Sequence, residues 1–140
     1  MSYVGLLTTV NLYKTQKADL TGELSNILMN ITRSSRKSTE LMQQETEQKS
    51  QIREDYMYVK ADDETETHYQ VRCEDGQDKL DQIEQDFELQ IQKINTWEAE
   101  LEFQKQTKET QVQVTGSYLD SFTEALKNNI KKDFTYGQGK

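Results

Sequence analysis

Apolar side chains at Leu6, Val10, Tyr13, Leu20, Leu24, Ile27 and Ile31 recur in alternating steps of four and three residues, with Lys17 at the one polar place in the series. This is the 3.5-residue repeat of a coiled-coil seam. A helix that carries it presents a narrow apolar stripe, which has to be buried along another helix. Lysine in such a seam costs stability but fixes register or the number of helices that associate. Gly22 sits in the same run. It weakens a helix by about 1 kcal/mol relative to alanine, which leaves room for a kink there or for a helix that starts near Thr21.

A narrow stripe is also all that the composition permits. Hydrophobic residues make up 33% of the 140 residues, charged residues 30%, and proline is absent. Such a chain is either disordered or built from long helices that need little apolar surface. The 9% of aromatic residues and the helical recurrence of the apolar positions select long helices.

Beyond Ile31 the stripe fades, because Arg33-Ser34-Ser35-Arg36-Lys37-Ser38-Thr39 places polar groups where apolar ones would continue. Leu41, Ile52, Tyr56 and Val59 then resume it. We expect one helix over about 4–60, with a solvent-facing polar stretch, reaching about 80 Å if unbroken. A loop is expected over about 61–78, from the acidic block Ala61 to Glu66 and the turn signal Glu74-Asp75-Gly76. Tyr69, Val71 and Cys73 alternate with polar residues there, and Asp55 to Val59 has similar chemistry. A small β-hairpin near 55–76 is therefore an alternative to a loop or bent helix. Leu80, Ile83, Phe87, Ile91, Ile94, Trp97 and Leu101 mark a second helix, about 79–112. Thr115-Gly116-Ser117 suggests a break, with Ser117 as a cap. A shorter helix, about 117–134, carries Leu119, Phe122, Leu126, Ile130 and Phe134, and residues 135–140 form a tail. The expected fold is all-α: a single elongated domain made of a long helical hairpin, or coiled-coil-like bundle, with a shorter C-terminal helix.

Several functions lack the residues they need. The chain has one histidine and one cysteine, so His68 and Cys73 are the only Cys–His pairing, and one cysteine excludes an internal disulfide. The acids Asp62, Asp63, Glu64, Glu66, Glu74 and Asp75 read as a solvated charge run, since Val71 and Cys73 stand where a calcium loop needs acids. No glycine-rich phosphate loop is present, and Asn30-Ile31-Thr32 matches a glycosylation sequon by chance. We therefore expect no enzyme, cofactor or metal. A net charge of −8 without a basic stripe argues against nucleic acid. No apolar run approaches the roughly 18 residues of a membrane span, and the opening Met1 to Leu7 is no secretory signal. The expected location is the cytoplasm, or outside the cell by a route that leaves the N-terminus uncut.

What remains is apolar surface with nowhere obvious to go. Residues 1–39 carry five Lys/Arg against two Asp/Glu, residues 40–102 six against nineteen, and residues 103–140 six against four. Basic ends beside a neighbour's acidic middle favour head-to-tail contacts, which propagate when the rotation does not close. The candidate self-association residues are Leu6, Val10, Leu20, Leu24, Ile27, Ile31, Leu119, Phe122, Leu126, Ile130 and Phe134, and the expected partners are copies of the chain itself. The alternative is a helical adaptor or chaperone that captures another protein's amphipathic helix. Terminal helices as an assembly core, with a polar middle facing outward, resemble the plan of filament proteins exported by flagellar and type III systems. That resemblance is one of architecture and carries no residues over.

Overall fold

The computed structural model describes residues 2–138, with side chains described through Lys132. Two helices account for it, α1 (Tyr3–Tyr56) and α2 (Glu66–Gln138), joined by residues 57–65. Among the described residues there is no strand. The expected all-α helical hairpin is what the chain forms. Four expectations about where its elements begin and end need correction. The first helix ends at Tyr56 and the loop is shorter than expected. The β-hairpin near 55–76 is absent, because 66–76 is already helix. The break at Thr115-Gly116-Ser117 and the separate short helix are absent too, since α2 is continuous. The tail at 135–140 is helical as far as Gln138.

Threonines interrupt neither helix. A threonine hydroxyl in a helix can bond back to the carbonyl of the preceding turn, which leaves the helical backbone in place. Thr8, Thr15, Thr21, Thr39, Thr46, Thr96, Thr107 and Thr110 each donate to the carbonyl four residues earlier at 2.7–3.2 Å. Gly22 causes no break either; α1 runs through it.

The chain divides into two compact units. Unit 1 comprises residues 1–30 and 101–140, and unit 2 residues 31–100. Each unit contains one stretch of α1 antiparallel to one stretch of α2. In unit 2, Lys49 pairs with Glu84 and Tyr56 lies against Gly76, so numbers rise on α1 as they fall on α2. In unit 1, Tyr13 stacks on Tyr118 and Lys108 pairs with Glu23.

Unit 2 buries Leu41, Phe87 and Ile94 together, with Ile83 packed against them. Each fully buried side chain of this kind contributes roughly 1.5–3 kcal/mol. The stretch expected to face solvent keeps the seam going: Ser34 is 0% exposed and Ser38 half-buried. Ser34 donates to the Ile31 carbonyl at 2.8 Å, which removes the cost of burying its hydroxyl. Inward-facing positions on α1 continue as Leu41, Glu45, Lys49, Ile52 and Tyr56, and those on α2 as Leu80, Ile83, Phe87, Ile91, Ile94, Glu98 and Leu101. Both series contain one place where a step of four follows a step of four, at Leu41-Glu45-Lys49 and at Ile83-Phe87-Ile91. An extra step of this kind locally unwinds the left-handed supercoil. The two fall at one level, since Lys49 reaches Glu84 at 3.6 Å and Leu41 packs with Phe87. Glu98, not Trp97, takes the inward place beyond Ile94, and Trp97 is 38% exposed.

Unit 1 buries Leu6, Val10, Ile27 and Leu101. Its seam is otherwise interrupted by polar groups, with Thr115 buried and Lys17, Lys105 and Lys108 half-buried. Gly116 leaves room for one of them: the Lys17 ammonium would sit 3.6 Å from a Cβ at this position.

Candidate interaction surface

The candidate residues of the two terminal stripes meet within unit 1. Leu6, Val10 and Ile27 are buried there, and Leu20, Leu24, Leu119, Phe122 and Leu126 are half-buried. Ile130 is about half exposed, Ile31 is a half-buried residue of unit 2, and the Phe134 side chain lies outside the described residues. Much of the stripe proposed for contacts between molecules is thus occupied within one chain.

The apolar surface that remains lies beside the seam. An open groove of about 480 Å³ between the two helices of unit 1 is lined by Gln16, Asp19, Leu20, Thr110, Gln111, Val114 and Thr115. Helical spacing extends this face toward one end, the start of α1 and the later part of α2, because the two helices are antiparallel. Leu12 precedes Gln16 by four residues and Tyr118 follows Val114 by four; Leu12, Val114 and Tyr118 are 54%, 48% and 51% exposed. Tyr118 is held in place by its neighbours. Its ring stacks on Tyr13 at 5.6 Å between centroids, and Tyr13 stacks on Phe122 at 5.5 Å. An aromatic ring fixed on one side and open on the other is a preformed contact, because little side-chain freedom is left to lose on binding. The 2.6 Å ion pair Lys108–Glu23 lies one turn from the groove on each helix.

Sequence reasoning found Leu20 and Phe122 in this region and missed Leu12, Val114 and Tyr118. The available signal was Val114 and Tyr118 four apart, a pair off the seam that a search for the 3.5-residue repeat passes over.

A second constellation surrounds Arg72 in unit 2. The guanidinium makes a two-point contact with Glu64, at 3.0 Å from Nε and 2.7 Å from Nη2. Its Nη1 donates to the carbonyls of Tyr56 and Tyr58 at 2.7 and 3.1 Å. The plane lies 3.6 Å from the Tyr58 ring centroid and 5.2 Å from that of Tyr69. Carbonyls at a helix C-terminus have no acceptor role within the helix, so Arg72 closes the end of α1. Thr65 caps the start of α2 by accepting from the His68 amide at 3.2 Å. The hydrogen bond from Arg72 holds the Glu64 carboxyl down at about 2, against the opposing pull of burial and with help from His68 and the Ala61 amide. Glu64 was read from sequence as part of a solvated charge run; its side chain is in fact 7% exposed.

His68 is taken up by this arrangement, with Nδ1 2.7 Å from Glu64 Oε2, while Cys73 is half-buried with a free thiol. Among the described residues no group of three or more His, Cys, Asp or Glu is placed to hold a metal ion, and no helix is long and apolar enough to cross a membrane. The Arg72 cluster shapes the loop, and the groove of unit 1 is one apolar surface left open to solvent. Comparison with protein families, characterised proteins and solved structures finds no match.

Proposed function

We propose that this protein is a non-enzymatic structural protein, a helical subunit that assembles with copies of itself. One observation carries the reading. After α1 and α2 have used their seams on each other, unit 1 still presents a groove flanked by half-exposed Leu12, Val114 and Tyr118. Lys17, Lys105, Lys108 and Thr115 also interrupt the seam of unit 1, so apolar surface covered there by another molecule adds to its stability.

Light scattering on the purified chain over a wide concentration range tests this. The mass is expected to rise above that of one chain as concentration increases. A mass fixed at one chain throughout would overturn self-assembly.

The groove itself supports a second reading, that of an adaptor for another protein's amphipathic helix. Two antiparallel helices with an open apolar groove offer a third helix the i, i+3, i+4 contacts it needs. Such an adaptor keeps a fixed small mass and gains thermal stability only when its client is added.

A further inference from the structure

The self-assembly reading leaves open which surface of a second copy covers the groove. We infer that it is the same groove, so that two chains meet through unit 1 about a two-fold axis and form a four-helix bundle there. The inference rests on the self-assembly reading and narrows it to a contact that closes.

Charge selects the unit. Unit 2 carries nine Lys/Arg against eighteen Asp/Glu, a net of −9, whereas unit 1 carries eight against seven, a net of +1. Copies that approach through unit 2 bring like fields together, while copies that approach through unit 1 do not. Exposed Leu89 and Trp97 belong to unit 2 and carry that penalty.

The chemistry of the lining selects a like surface. Gln16 and Gln111 each offer both a donor and an acceptor, so each can pair with its own kind across a two-fold axis. Asp19 is the one ionised side chain of the lining, and it is exposed. The nearby Lys108 and Glu23 neutralise each other. An apolar groove between two helices, with Tyr118 fixed at its edge, accepts the corresponding ridge of an identical pair, and such an isologous contact stops at two copies.

The test measures mass against concentration for the full chain, for Tyr118→Asp and for Val114→Glu. It is accompanied by far-ultraviolet circular dichroism and, in a Cys73→Ser background, by spin-label distances between copies labelled at Gln111→Cys. Both altered positions are about half exposed, so helicity is expected to stay unchanged. The wild type is expected to reach the mass of two chains and no more, with one short distance between labels. Either substitution places a charge in the contact and is expected to weaken association about 30-fold or more, the size of effect seen at a hot-spot residue. Association that survives both substitutions would overturn the groove as the contact while leaving self-assembly standing. Growth beyond two chains would overturn the closed two-fold. A wild type that stays one chain at every concentration would overturn the inference together with the reading beneath it.

Discussion

Two helical glycines, Gly22 and Gly76, show how differently one residue type is used. Gly22 has nothing within 4 Å of where a Cβ would lie, and its φ is ordinary. Gly22→Ala is therefore expected to stabilise the chain by about 1 kcal/mol, the helix-propensity difference, measurable by chemical denaturation. At Gly76 an added Cβ would come within 2.8 Å of Tyr56 Cβ and Met57 Cγ. Tyr56 Cβ is fixed to the backbone, so Gly76→Ala is expected to destabilise by about 1–3 kcal/mol despite its better propensity. Equal effects at the two positions would show that close approach does not govern Gly76. Glu64 gives a residue-scale dependence on pH. Its carboxyl is lowered from 4.5 to about 2 in the folded chain, so its contribution is complete above pH 4.5 and is lost as pH falls through 2. The stability gap between wild type and Glu64→Gln is expected to be wide at neutral pH and to shrink over that window. A gap that does not change with pH would count against the ion pair as its source.

At the scale of the helices, the runs Leu6–Ile31 and Leu119–Ile130 were readable because all their members but Lys17 were apolar at steps of three and four. The rest was hidden for specific reasons. Ser34 and Ser38 look like solvent residues, yet a serine is small enough to sit in a seam, and Ser34 satisfies its hydroxyl by bonding back to its own helix. Tyr69, Val71 and Cys73 imitate a strand, but Val71 is 49% exposed, and only Tyr69, Arg72 and Cys73 are withdrawn from solvent. The candidate surface was half legible: its seam members followed from the repeat, whereas its outer members depend on which side of the hairpin stays open. The paired extra steps at Leu41-Glu45-Lys49 and Ile83-Phe87-Ile91 yield a prediction about length. Deleting residues 42–45 alone, or 88–91 alone, displaces one helix against the other by about 6 Å. Each single deletion is expected to lower the melting temperature by about 10 °C or more. The double deletion restores an uninterrupted repeat on both helices and is expected to recover most of that loss. Thermal denaturation of the three variants decides the point, and additive losses would show that the steps are not matched.

For the whole molecule, folding regroups the charge that the linear sequence displays. Arg33, Arg36 and Lys37 supply most of the positive excess of residues 1–39, yet they belong to unit 2, so unit 1 ends near neutrality. The attraction between basic ends and an acidic middle implied dissociation by salt. The regrouped charge implies the reverse, because a unit 1 of net +1 offers its own copy no opposite field to lose, while two chains of net −8 repel until salt screens them. Raising salt from about 0.02 M to about 0.3 M shortens the screening length to within 10 Å and is expected to increase the associated fraction seen by light scattering. A decrease would restore the head-to-tail picture. The division of the chain also sets a timetable for its synthesis. Residues 31–100 are contiguous and can close as they emerge, but residues 1–30 wait for residues 101–140. At about 5–20 residues per second the intervening 70 residues take roughly 4–14 s to translate. Throughout that interval the stripe from Leu6 to Ile27 is without the stretch of α2 that covers it in the finished chain.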